Sequence, residues 1–156
     1  MANLQHLEQL KLGVQLWNQW REQNPEIKPN LTRADLRDFD LSGANLNDAN
    51  LKAACLERAN LSAAGLERAN LSYANLMVAD LTGANLASAN IQWADLHWAG
   101  LFLADLTGAN LSGASLEGAA LDWATLTETV MPDQHKENIL FKPIRFKVLS
   151  KTDASN

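Results

Sequence analysis

Ala69-Asn70-Leu71-Ser72-Tyr73, Ala74-Asn75-Leu76-Met77-Val78 and Ala79-Asp80-Leu81-Thr82-Gly83 are three consecutive copies of one five-residue unit. The unit extends unbroken in both directions. Every fifth residue from Leu31 to Leu126 is Leu, apart from Ile91. Two residues before each of these, from Ala34 to Ala124, stands Ala, apart from Phe39. The residue between is mostly Asn or Asp, and the two that follow vary freely.

A period of five has geometric consequences. On an α-helix, five residues advance by about 140° beyond a full turn, so the leucines would spiral over every face and no soluble amphipathic stripe would form. On a strand, an Ala and the Leu two residues later point to the same side. The next such pair would point to the opposite side of a straight strand, because the period is odd. Both columns stay inside only if the chain turns a corner within each pentapeptide. Four near-right-angle corners close a square coil of twenty residues, and about five coils stacked at strand spacing rise roughly 24 Å. Leu fills the interior, Ala admits close approach of the backbone, and the recurring Gly, Ser and Asn are expected at the corners.

Segments such as 69–73, 79–83 and Ala109-Asn110-Leu111-Ser112-Gly113 resemble the pentapeptide repeat family, whose units read Ala–Asp/Asn–Leu–x–x. The resemblance implies an all-β solenoid, a right-handed quadrilateral β-helix with Leu at the centre of each unit. Residues 16–21, Leu-Trp-Asn-Gln-Trp-Arg, followed by Asn24-Pro25, are similar to leaders on cyanobacterial members. Met131-Pro132-Asp133 resembles the end of many such domains, although Gln134 stands where Gly is common. The family's roles range from DNA-mimicking gyrase binders to cyanobacterial proteins of unknown role, so the resemblance implies fold more than function.

Three regions follow. Residues 1–29 read as a capping helix and linker, 30–128 as the β-helix, and 129–156 as a C-terminal cap and tail. Within the first, 3–23 are expected to form one amphipathic helix, with Leu4, Leu7, Leu10, Val14 and Trp17 at helical spacing. Pro25 and Pro29 end it. An open β-helix end exposes apolar interior and unpaired backbone, so this N-terminal α-helical cap answers a need. Phe39, in the first coil, is placed to meet it.

Written in rows of twenty, the sequence lets columns be read up each face. Asn30, Asn50, Asn70, Asn90 and Asn110 form one column, expected to bond as an amide ladder. The fourth coil places Trp93, His97, Trp98, Phe102 and Leu103 outward, with Tyr73, Met77 and Val78 one coil below and Trp123 one coil above. These residues predict an apolar belt around three faces, a candidate interaction surface. The tail carries Ile139, Leu140, Phe141, Ile144, Phe146, Val148 and Leu149. Residues 135–149 are expected to cover the belt, with a homodimer through the belt or tail, or another protein partner, as the alternative.

Charge and composition exclude several functions. Net charge is −5, against general nucleic-acid affinity. Acidic residues adjoin basic ones, as in Glu57-Arg58 and Glu67-Arg68, so no continuous negative surface is expected. The lone Cys55 has no internal disulfide partner and reads as a small-residue substitution. His6, His97 and His135 lack metal-ligand spacing, and no nucleophile motif or phosphate loop appears. No catalytic residue, metal or cofactor is expected. No signal peptide or membrane span is visible, so the cytoplasm is the expected location. The function expected is a non-enzymatic protein–protein interaction module or scaffold, in the manner of a cyanobacterial regulator. The alternatives are a DNA-mimic inhibitor of DNA gyrase or another DNA-binding protein, and a structural or stress-related rod.

Overall fold

The computed structural model describes residues 1–133. Parallel bridges pair each residue before a central Leu with the residue twenty further on, from Asn30 with Asn50 to Asn110 with Val130. The chain is therefore a β-helix that returns on itself every four pentapeptides. From Leu31 to Leu111 each central residue donates its N–H to the coil above at 2.7–2.9 Å, as in Leu31 N–H to Asn50 O. The residue two further on does the same, as in Arg33 N–H to Lys52 O at 2.9 Å. The residue before each Leu donates downward, as in Asn50 N–H to Pro29 O at 2.8 Å. Three intercoil bonds per unit leave the wall of each inner coil as fully paired as a sheet interior.

The interior holds the two predicted columns. From Leu31 to Leu111 the central residues are at most 1 % exposed, and the alanines from Ala44 to Ala109 likewise. Burying each Leu contributes about 1.5–3 kcal/mol, and stacking at strand spacing lets every coil shield its neighbours.

The corner is a β-turn in which the Ala N–H reaches back to the Leu carbonyl, as in Ala34 N–H to Leu31 O at 3.0 Å. Its third residue is left-handed throughout: every fifth position from 33 to 128 has φ between 54° and 71°. Type II turns require that sign. Gly43, Gly83, Gly108, Gly113 and Gly118 take this corner position as expected, but Arg33, Asp38, Val78, Trp98 and Leu103 occupy it as well. A left-handed L-residue costs about 1–2 kcal/mol. The intercoil hydrogen bond of that residue and the inward burial on either side offset the cost.

The Asn and Asp before each Leu brace the entry to the turn that follows. Their Oδ1 accepts the N–H two residues on, as in Thr32 N–H to Asn30 at 3.1 Å, Ser72 to Asn70 at 3.0 Å and Ser112 to Asn110 at 3.0 Å. No amide-to-amide bond links the Asn30 column among the described residues; each Oδ1 there accepts the N–H two residues on. Gly65 lacks such a side chain, and Asn47 of the coil below replaces it, accepting Glu67 N–H at 2.9 Å. A Cβ on residue 65 would come within 2.9 Å of that same oxygen, so the space and the missing acceptor belong together.

The single helix expected over 3–23 is instead two, α1 (Leu4–Lys11) and α2 (Val14–Gln23). Asn3 caps α1, and Gly13 breaks the run at φ 103°, where a side chain would be strained. The break changes which residues meet the β-helix. Leu4 is 74 % exposed, whereas Leu10 and Trp17 are at most 2 % exposed. Both helices lie on the lower edge of the first coil and hydrogen-bond to it. Trp17 Nε1 donates to Asn45 O at 2.8 Å, while Asn18 accepts Asn45 N–H at 2.8 Å and donates to Gly43 O at 3.0 Å. Buried Arg21 donates to Asn47 O at 3.2 Å and to Ile27 O. Asn3 N–H reaches Asn30 O at 2.8 Å, and Asn30 N–H reaches His6 Nδ1 at 3.0 Å. Phe39 is half-buried and packs against the core.

Two predictions follow from these elements. Val78, a β-branched residue at φ 59°, bears the strain most directly. Val78→Gly should raise stability by about 1 kcal/mol, strain relief exceeding the added entropy of the unfolded chain. Thermal unfolding measures it, and a lower melting temperature counts against the strain argument. His6 must be unprotonated at Nδ1 to accept from Asn30, and burial, then Arg21, push its pKa below the ordinary 6.5. Its contribution is therefore complete above pH 6.5 and is lost as pH falls toward the depressed value. Half-buried His97 is shifted the other way and is unchanged by substitution at position 6. The stability difference between wild type and His6→Gln should therefore shrink or reverse on going from pH 7 to 5, measured by denaturant titration at each pH.

Candidate functional site

The variable positions of each unit project outward, so the surface is a grid of side chains two per corner. Its lower half is charged. Arg58 spans one coil to Asp38, with Nε to Oδ1 at 2.7 Å and Nη2 to Oδ2 at 2.9 Å, and also pairs with Glu57. Arg68 repeats the arrangement with Asp48 at 3.1 and 2.9 Å and with Glu67. Arg37 grips Asp35 at 2.8 and 2.6 Å, and its guanidinium holds that carboxyl down to about 2. These exposed pairs add little stability. Their effect is to break up negative potential on two faces.

The upper half is apolar. Tyr73, Val78, Trp93, Trp98, Leu103 and Trp123 are each at least half exposed, and Phe102 is 41 % exposed. Met77 and His97 are partly buried beside them. Six of these, Tyr73, Val78, Trp93, Trp98, Leu103 and Trp123, occupy the left-handed corner position, which turns their side chains to solvent. Trp93 and Trp98 lie against the coil above. A Cβ on Gly113 would meet the Trp93 ring at 2.3 Å, and one on Gly118 would meet the Trp98 ring at 2.3 Å. Each indole therefore lies across a glycine twenty residues later, with one ring face against backbone and the other toward solvent. Sequence reading found the tryptophans and missed these supports. The signal was present as Trp and Gly twenty apart in the same column.

Beside Trp98, His97 Nδ1 lies 2.5 Å from Asp95 Oδ1, and Nε2 lies 3.6 Å from Glu117. The Asp95 contact raises the imidazole pKa, so the ring carries charge more readily than a free histidine. Tyr73 lies beneath Trp93 on the same face, with Lys52 Nζ 5.6 Å from its ring centre. A groove of about 520 Å³, lined by Met1, Thr32, Arg33, Lys52, Ala53 and Tyr73, opens below it. Among the described residues no cluster of His, Cys, Asp and Glu could hold a metal, and no helix is long and apolar enough to cross a membrane. Cys55 is a free thiol. The tail expected to cover the belt, residues 135–149, lies outside the described residues.

Pentapeptide repeats match the chain in eight copies over residues 30–62, 64–99 and 104–132. The chain belongs to the pentapeptide repeat family. Known structures of this family are right-handed quadrilateral β-helices. The chain is 40 % identical to Rfr23, a pentapeptide repeat protein of the cyanobacterium Cyanothece 51142, over 68 % of this chain and 67 % of that one, with a TM-score of 0.55. It is 33 % identical to HetL of Nostoc sp. strain PCC 7120, a protein involved in regulating heterocyst differentiation, over 69 % of this chain, with a TM-score of 0.48. The match spans only 61 % of HetL. A pentapeptide repeat protein of the Arabidopsis thaliana thylakoid lumen is 32 % identical over 67 % of this chain and 73 % of that one, with a TM-score of 0.40. No functionally curated protein matches the sequence.

The glycine supports can be tested directly. Gly118→Ala should displace the Trp98 ring and cost about 1–2 kcal/mol, from contact and left-handed strain together. In a Trp98→Ala background only the backbone cost of about 1 kcal/mol should remain. Equal losses in both backgrounds, or an unchanged near-ultraviolet circular dichroism signal, would show that the indole does not rest on Gly118.

Proposed function

We propose that this pentapeptide repeat protein is a non-enzymatic protein–protein interaction module of about five coils, closed at its N-terminal end by α1 and α2. Its contact surface is the aromatic belt of the third to fifth coils. The observation that carries this reading is the pair Trp93 and Trp98, 58 % and 64 % exposed and each seated on a glycine of the next coil. A rigid indole loses little conformational freedom on binding, and tryptophan is enriched among the residues that dominate interfaces. Leu103, Phe102 and Trp123 extend the surface onto a third face. Asp95, His97 and Glu117 give it a polar margin, the arrangement of an apolar centre with a hydrated rim.

The pairing of Arg58 and Arg68 with carboxylates one coil below disfavours a DNA mimic, which needs an uninterrupted negative face.

The test compares wild type, Trp93→Ser/Trp98→Ser and Arg58→Ser as bait, with quantitative binding to each captured protein. The tryptophan double variant should weaken the specific complex at least about tenfold, and Arg58→Ser should leave it intact. Unchanged affinity of the tryptophan variant removes the belt from the interface. Potent, salt-sensitive inhibition of gyrase supercoiling by the wild-type protein would favour the DNA-mimic reading instead.

A further inference from the structure

Each outward corner of the β-helix stacks on the corner twenty residues later. Arg33 N–H donates to Lys52 O, Ala53 N–H to Ser72 O and Tyr73 N–H to Gln92 O, each at 2.9 Å. Thr32-Arg33, Lys52-Ala53, Ser72-Tyr73, Gln92-Trp93 and Ser112-Gly113 therefore form one column along the rod. Its charge sets it apart from the other three. Those hold Asp38 and Glu57, Asp122, and Asp48 and Glu67, whereas this column holds no carboxylate. The column beside it, Asn30 to Asn110, holds none either.

Its cations also differ from the rest. Lys11, Lys28, Arg37, Arg58 and Arg68 are each paired with a carboxylate. Buried Arg21 is held by backbone carbonyls. Arg33 and Lys52 are exposed and have no carboxylate partner among the described residues. A chain of net charge −5 thus keeps two neighbouring positive groups bare on one edge. Lys52 Nζ lies 5.6 Å from the centre of the Tyr73 ring, so the charge borders the lower end of the aromatic belt. Arg33, Lys52 and Tyr73 share the groove of about 520 Å³ described above. Trp93, 58 % exposed, continues the column above Tyr73.

The edge is therefore cationic at one end and aromatic at the other. The N–H groups of residues 33, 53 and 73 are already bonded to the next coil, so an added strand finds no donors there. Recognition falls to the side chains. Arg33 and Trp93 stand three coils apart, roughly 14 Å at strand spacing. An extended segment of about four or five residues spans that distance.

Building on the belt as a contact surface, we propose that this edge docks an acidic peptide segment of a partner protein. Its carboxylates lie on Arg33 and Lys52, and an apolar side chain lies across Tyr73 and Trp93. Single-stranded nucleic acid also offers anions and ring faces. Two cations make few phosphate contacts, however, and a net charge of −5 repels a polyanion.

The probe is a hexapeptide alternating glutamate and phenylalanine, blocked at both ends and titrated into the full-length protein under nuclear magnetic resonance. A control peptide carries glutamine in place of glutamate. The glutamate peptide should bind at least about fivefold more tightly at low salt, and the difference should vanish in about 0.5 M salt. Its shifts should fall on the Lys52 side chain, the Tyr73 ring and the Trp93 indole N–H, leaving Trp123 on another column unmoved. Arg33→Gln/Lys52→Gln should make the two peptides equal and leave the spectrum of the inner coils unchanged.

Equal binding of both peptides to the wild type, with Trp93 and Trp98 shifted by each, overturns the acidic partner and leaves the belt standing. A preference that persists in Arg33→Gln/Lys52→Gln overturns the role of these two cations. Tighter binding of a short oligothymidylate at the same residues overturns the peptide in favour of nucleic acid. No binding of the glutamate peptide at about millimolar concentration overturns the docking edge altogether. The belt is judged separately, by the Trp93→Ser/Trp98→Ser comparison above.

Discussion

One left-handed residue in every five holds this molecule together. Without that corner, successive Ala–x–Leu pairs would alternate between the two sides of a strand, and no interior could form. With it, both columns turn inward at each face, and the Leu N–H meets a carbonyl of the next coil at 2.7–2.9 Å. The price is backbone strain repeated at each corner, accepted by Val78 and Trp98 as much as by Gly83. No single corner is decisive, because each is locked from both sides by burial and from above by a hydrogen bond.

The same constraint makes the surface a programmable grid. A left-handed corner residue points away from the core, so its side chain can vary without repacking the interior, and neighbours in a column are always twenty residues apart. The lower coils use the grid for Arg–Asp pairs across one coil, such as Arg58 with Asp38. The upper coils use it for indoles resting on glycines, such as Trp98 on Gly118. Charge and apolar surface are thereby segregated along a scaffold whose backbone hardly changes. An interaction surface can be written on such a scaffold with no effect on the core.

A solenoid must also end. Its first coil is finished by side chains, chiefly Trp17, Asn18 and Arg21, that mimic the backbone partners a coil below would supply. Only the break at Gly13 orients α2 so that these three reach the edge while Leu4 stays exposed. Stability of the whole depends on both ends, since coils stabilise only their neighbours.

The sequence by itself determined the period, the inward columns, the twenty-residue return and the outward placement of Trp93, Trp98, Leu103 and Trp123. These follow from strand geometry, which a strict repeat makes legible. Tertiary structure alone decided the rest. A continuous amphipathic pattern over 3–23 does not reveal a break at Gly13, because helical spacing survives a two-residue kink. The Asn column looked like a ladder, but each amide oxygen accepts the N–H two residues on, within its own turn. The tolerance of Val and Trp at left-handed corners arises from bonds to the next coil, which lie twenty residues away. Trp98 and Gly118 are likewise strangers in sequence, and stacking alone makes one the seat of the other.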